Sequence, residues 1–263
     1  LRKFSLSRWI LHGPPEGWRS QLEEYYRKEP VFTLIGGITT GEWEPVHQFC
    51  EEKHIPCLFP NTDYPVISRT DWYTLYLSKG YYQEGEAAAR YLNGVKHLSK
   101  TGRVMQIVRD SREGRALAAG FQETWRDLGH EPPVTLMLKK GEALTENLLR
   151  QLSAKEKPAA LLIWDGPAAL PALATLRTDD NRPEMIFVSS GYLGKSMQLL
   201  NEQVRDFTYI TYPYRLPSEP ADPRAAPAMP RKIFKADTSA IENQTYAIIE
   251  ILNMALMNMK GNY

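Results

Sequence analysis

Short apolar runs alternating with amphipathic segments, over most of its length, constrain this chain more than any other feature. The runs at 31–35 (VFTLI), 57–59 (CLF), 103–108 (RVMQIV), 134–138 (VTLML), 159–164 (AALLIW) and 185–188 (MIFV) have the length and β-branched content of buried strands. Helical spacing fills the intervals. Trp18, Leu22, Tyr25 and Tyr26 share one face, as do Val46, Phe49 and Cys50 across 44–53. A helix over 83–92 carries Gly85, Ala88, Ala89 and Leu92, small enough for tight packing on a sheet, and one over 116–128 aligns Leu117, Phe121, Thr124 and Leu128. Further helices are predicted over 144–152, 167–176 and 194–201. Strands and helices in this alternation form parallel βαβ units with right-handed crossovers, so the fold class is α/β.

Other segments have their own signals. Phe4, Leu6, Trp9, Ile10 and Leu11 suggest a first strand, stopped by His12-Gly13-Pro14-Pro15. The stretch 63–77 (DYPVISRTDWYTLYL) is extended and aromatic and reads as a crossover from one lobe to a second. After strand-like 207–214, five prolines within 216–230 mark an irregular loop. Asp237 or Thr238 then caps a long helix, apolar at Ile241, Tyr246, Ile249, Leu252, Ala255, Leu256 and Met259.

Composition narrows the function classes. The 263 residues are 43% hydrophobic and 24% charged, enough for a sizeable core in one large domain or two small lobes. A net charge of +1 gives no basic footprint for nucleic acid. Apolar runs stay short of the ~20 residues that a membrane helix needs, and Leu1-Arg2-Lys3-Phe4-Ser5 leads into a strand-like pattern rather than a signal-peptide core. Two cysteines, Cys50 on a helix face and Cys57 opening a strand, read as buried thiols, with a bridge between them left open. The histidines are scattered and give no metal spacing, so neither metal nor cofactor is expected. Ser189-Ser190 lacks a G-x-S-x-G context and no histidine follows it, which excludes the hydrolase order Ser, Asp, His. There is no phosphate-binding glycine loop.

The passage 31–62 (VFTLIGGITTGEWEPVHQFCEEKHIPCLFPNT) runs apolar strand, Gly-Gly turn, Thr-Thr, helix, Ile-Pro, strand, Pro-Asn-Thr. This order resembles the type I periplasmic solute-binding proteins of branched-chain amino-acid uptake, and Asn243-Gln244-Thr245-Tyr246-Ala247 is similar to the opening of the helix that returns to their first lobe. The resemblance implies two doubly wound parallel-sheet lobes. Lobe 1 would be 1–79 plus 237–263, lobe 2 would be 80–213, and 214–236 a Pro-rich connection. That family opens with a strand and helix that would lie upstream of Leu1, so lobe 1 is expected to be truncated and smaller than lobe 2, with oligomerisation through the incomplete face as one remedy. The function implied is capture of an amino acid or similar small polar ligand in an inter-lobe cleft by hinge closure, without catalysis, for an ABC-type membrane permease or receptor. The location implied is periplasmic or extracytoplasmic. A ligand-sensing domain of the same fold within a larger signalling or electron-transfer protein stands as the rival, with an enzyme on a doubly wound fold behind it.

An amino acid presents a carboxylate, an ammonium and a side chain to such a cleft. Thr39, Thr40 and Thr62, with N–H groups near Gly37, suit the carboxylate, because they fall at strand carboxyl ends where helix N-termini offer donors. Capping and turning the chain is the plainer role for the same threonines. Asp110 and Asp165 each follow an apolar strand of lobe 2 and suit the ammonium. Tyr64, Trp164 and Tyr192 suit an apolar or aromatic ligand side chain, or else the core. Arg109 and Arg112 would read a further anionic group, or pair at the surface with Glu113.

Overall fold

The computed structural model describes residues 5–95, 102–178, 181–200, 202–213 and 240–258. The expected Pro-rich connection and the caps at Asp237 and Thr238 lie outside the described residues. The chain forms two compact units, Leu1–Leu77 with Leu216–Tyr263, and Ser78–Arg215.

In the first unit a 3-10 turn, Pro15–Gly17, opens helix α1 (Trp18–Lys28), followed by β1 (Leu34–Ile35), α2 (Glu44–Lys53), β2 (Cys57–Leu58) and β3 (Thr74–Leu75). The three strands are parallel in the order β1-β2-β3. α2 ends where His54 turns left-handed at φ 57° and its N–H returns to the Cys50 and Glu51 carbonyls. That turn folds Ile55 and Cys57 back onto Val46, Phe49 and Cys50, and Leu22 of α1 closes the core. Both cysteines are free and buried, so the bridge left open by the sequence is not formed. The neighbouring Cys57 thiol and burial together push the Cys50 thiol up.

Two expectations need correction here. Residues 5–12 form no strand, and side chains of α1 take up their backbone. The Tyr25 hydroxyl accepts from the Ile10 N–H at 3.3 Å and donates to the Ile10 carbonyl at 3.1 Å. Gln21 does the same for His12, at 2.9 and 2.8 Å. The stretch 63–77 is not only a crossover, since it supplies β3. Glu51 positions that strand: its carboxylate accepts from the N–H groups of Trp72, Tyr73 and Thr74 at 3.0, 2.8 and 2.9 Å. One turn earlier on α2, His47 bonds Asp71 through Nε2 at 2.9 Å and Tyr76 through Nδ1 at 3.0 Å.

The second unit runs α3 (Tyr81–Gly94), β4 (Val104–Arg109), α4 (Arg112–Asp127), β5 (Val134–Leu138), α5 (Glu146–Glu156), β6 (Ala160–Trp164), α6 (Leu170–Ala174), β7 (Met185–Ser189), the short helices α7 (Ser190–Leu193) and α8 (Glu202–Arg205), and β8 (Thr208–Thr211). Its five strands are parallel in the order β5-β4-β6-β7-β8. Alternation along β4 divides the core. Met105 and Ile107 pack with residues of α5, α6 and α8, while Val104 and Val108 pack with those of α3 and α4. Both faces are covered, which is why β6 and β7 read as apolar runs and β4 as one broken only by the buried Gln106.

Here too the structure departs from expectation. Gly85 packs on α4 rather than on the sheet: a Cβ there would lie 2.1 Å from the Leu117 carbonyl oxygen, and one on Gly120 would lie 2.0 Å from that of Tyr82. The two glycines let the helix backbones approach closely. The helix expected over 167–176 is broken into Pro167–Ala169, α6 and Thr175–Thr178; Pro171, in the first turn of α6, has no N–H to donate back to the segment before it.

The chain returns to the first unit as α9 (Ala240–Asn258). Ile248 is buried there, 3.8 Å from where a Cβ on Gly36 would sit. Trp9, Leu11, Leu34, Trp43, Leu252 and Leu256 help enclose a cavity of about 610 Å³ within this unit, and the buried Trp43 Nε1 has no hydrogen-bond partner.

Candidate functional site

In an open parallel sheet, ligand-reaching side chains gather at the carboxyl ends of the strands. At that edge of the first unit, Gly36 leaves β1 at φ 59°, and the loop from 36 to 42 runs beside 59–64. The Thr39 N–H donates to the Asn61 carbonyl at 3.0 Å, the Asn61 N–H to the Gly37 carbonyl at 2.7 Å, and isolated bridges join Ile38 to Asn61 and Glu42 to Tyr64. Gly37 lies against the Trp43 indole, where a Cβ would be 2.0 Å from the ring. The Thr39 hydroxyl accepts from the Gly41 N–H at 3.0 Å. That of Thr62 donates to the Gly41 carbonyl at 2.9 Å and accepts from the Tyr64 N–H at 3.1 Å. The structure thus brings Gly37, Thr39, Thr40, Thr62 and Tyr64 into one pair of loops. Thr39 and Thr62 fasten those loops, while Thr40 is exposed.

The second unit has a topological switch point. From β4 the chain crosses to β5 on one side and then returns to place β6 on the other, the topology at which open α/β sheets take ligands beyond the strand ends. Arg109, the last residue of β4, and Asp165, just after β6, meet there. Arg109 Nε and Nη2 donate to the two Asp165 oxygens at 2.9 and 2.7 Å, and Nη1 donates to the carbonyls of Lys139 and Glu142. The Gly166 N–H adds a third bond to the Asp165 carboxylate, at 2.8 Å. Asp165 is 4% exposed, and its hydrogen bonds, with its charge, hold the Arg109 guanidinium above its ordinary pKa. Arg109 was expected to face a further anion or pair at the surface with Glu113; it is instead the partner of Asp165.

Ser111 caps α4, its hydroxyl accepting from the Gly114 N–H, and lies 2.8 Å from the Tyr192 hydroxyl. Burial raises the Tyr192 phenol above its ordinary pKa. Asp110 is ion-paired with Arg115, and Arg112 begins α4 with an interaction of its own. Trp164 does not reach this edge. It is wholly buried, and its Nε1 donates to Gln106 at 3.1 Å.

Glu84 was missed by the sequence reading. Its carboxylate, 1% exposed, accepts from the N–H groups of Ser190 and Gly191 at 2.9 and 3.0 Å and from the Thr211 hydroxyl at 2.8 Å, tying α3 to the ends of β7 and β8. Desolvation pushes its pKa up, against the pull of these bonds. The available signal was an acid on the same helical face as Ala88 and Leu92. Ser111 was signalled by its place, a serine directly between a strand and a helix.

Two α/β units on all-parallel sheets, with hydroxyl-rich loops at the carboxyl ends of the strands, define the type I periplasmic-binding class of fold. The chain belongs to the periplasmic binding protein family, whose model matches residues 12–262. Proteins of that family are extracytoplasmic binders of small molecules, in general partnered by an ABC permease. Among the described residues no helix is long and apolar enough to cross a membrane. A candidate branched-chain amino acid ABC transporter from Rhodospirillum rubrum shares the fold at TM-score 0.56 and 17% identity, over 76% of this chain and 58% of that one. Another, from Silicibacter pomeroyi, does so at 0.51 and 10%, over 73% and 50%. An extracellular ligand-binding receptor from Verminephrobacter eiseniae matches at 0.51 and 15%, over 95% and 71%. This chain therefore spans 58% and 50% of the first two of these structures. At such identities the likeness shows the fold alone. A comparison with curated proteins found no match.

Proposed function

We propose that the chain is a non-catalytic solute-binding protein that captures an amino acid or similar small polar ligand outside the cytoplasm, for an ABC-type permease. Hydroxyls at the carboxyl-terminal edges of parallel sheets carry this reading: Thr39 and Thr40 in the first unit, on a loop that Thr62 fastens, and Ser111 and Tyr192 in the second. A ligand carboxylate fits such donors, and hydrogen bonds to a charged group contribute about 1.5–3 kcal/mol each. Thr40, whose side chain is exposed, is the informative position. Native mass spectrometry of the purified protein should reveal a co-purified small acid, and calorimetry with that ligand should show Thr40→Ala weakening binding by about 1.5 kcal/mol or more. Unchanged affinity in both Thr39→Ala and Thr40→Ala would place the site elsewhere.

A further inference from the structure

We propose that Arg109 narrows the ligand class stated above: by occupying Asp165 at the switch point of the second unit, it favours small carboxylic acids without an ammonium group over the corresponding amino acids. The inference rests on the reading that ligands bind at these strand ends, and it concerns which ligands they are.

An ammonium is held by a carboxylate with both charge and lone pairs to offer. Asp165 has the right place, immediately after β6 at the switch point, but Arg109 already bonds both of its oxygens and the Gly166 N–H takes one again. The pair is neutral, and a ligand ammonium brought to it would meet the guanidinium as well. Nor is Arg109 free to swing away, since its remaining nitrogen is fixed by two carbonyls of the loop after β5. The other acids near this edge are engaged too. Asp110 pairs with Arg115, Glu113 has its own interaction, Glu84 is enclosed by Ser190, Gly191 and Thr211, and a Glu142 oxygen accepts from the Lys139 N–H. Along 109–115 three arginines face two acids, and Asp165 only brings the balance to zero. What the edge offers besides is hydroxyl: Ser111 and Tyr192, 2.8 Å apart. Such a surface favours a carboxylate or a hydroxyl over a cation.

The test is a set of matched ligands that differ only in the ammonium: L-leucine and 4-methylpentanoate, L-phenylalanine and 3-phenylpropanoate, L-glutamate and glutarate. Each is titrated calorimetrically into the ligand-stripped full chain. The desamino acid of at least one pair should bind tenfold or more tighter than its amino acid. Arg109→Met, which removes the cationic partner of the Asp165 carboxylate, should narrow or reverse that ratio; if the variant does not fold, as judged by circular dichroism, the wild-type ratio decides. Equal or tighter binding of the amino acids overturns the assignment of Arg109 and leaves the solute-binding reading in place. Binding of neither member of any pair overturns the solute-binding reading itself, and this inference with it.

Discussion

Trp164 and Trp72 show how differently one residue type can be used in this chain. Trp164 is wholly enclosed between β4, β7 and α4, with its one polar atom bonded to Gln106; Trp72 is 80% exposed. Trp164→Ala is expected to cost about 3–5 kcal/mol in urea unfolding, through lost burial and the cavity left behind, and Trp72→Ala to stay within about 0.5 kcal/mol. Glu84 makes a pH prediction. Its pKa in the folded chain is raised, chiefly by desolvation. Its contribution is therefore fully present below the ordinary glutamate value and lost as pH rises through the raised value. Wild-type stability relative to Glu84→Gln should fall from acid to neutral pH, measured as the difference in denaturation midpoints. A difference that grows with pH would show that the hydrogen bonds to the carboxylate outweigh its desolvation.

At the scale of elements, close approach and backbone pairing decide more than hydrophobic pattern does. The α3–α4 contact depends on Gly85 and Gly120, each facing a main-chain oxygen of the other helix at about 2 Å from a notional Cβ. Backbone cannot yield as a flexible side chain would, so Gly120→Val should lower stability by about 1–3 kcal/mol or more, and the double variant with Gly85→Val should not be additive. β3 depends on Glu51, which satisfies three successive N–H groups at its start. Glu51→Ala should speed amide exchange at Trp72, Tyr73 and Thr74 while leaving β4 unaffected. Unchanged exchange at those three amides would mean that the loop holds its shape without the carboxylate.

Across the whole molecule, the two units differ in how well their sheets are enclosed. β4, β6 and β7 are covered on both faces by helices, whereas β1, β2 and β3 have two residues each. Native-state hydrogen exchange should be slowest in β4, β6 and β7, approaching global unfolding there, and faster in the first unit, where residues 5–12 are held by side chains of α1 rather than by a ladder. The opposite order would mean that the short sheet is the more stable core.

Periodicity alone determined much of this. The 3.6-residue pattern of Val46, Phe49 and Cys50 marked α2, the predominantly apolar runs marked β4, β6 and β7, and their alternation with helices marked the α/β class, because buried parallel strands and one-sided helices impose those patterns locally. It also placed Thr39, Thr40, Thr62, Asp110 and Asp165 after strands, the positions from which side chains reach a sheet's carboxyl edge. What lay beyond it were partnerships between residues far apart in the chain. The segment at 5–12 has a strand's composition, yet whether it joins a sheet depends on which groups reach its backbone, and Tyr25 and Gln21 reach it first. Asp165 has the sequence context of a ligand-binding acid, but only the strand order β5-β4-β6 brings Arg109 beside it and neutralises it. Electrostatic and backbone hydrogen-bond energies depend on distance in space rather than on spacing in sequence, and the tertiary structure alone set those distances.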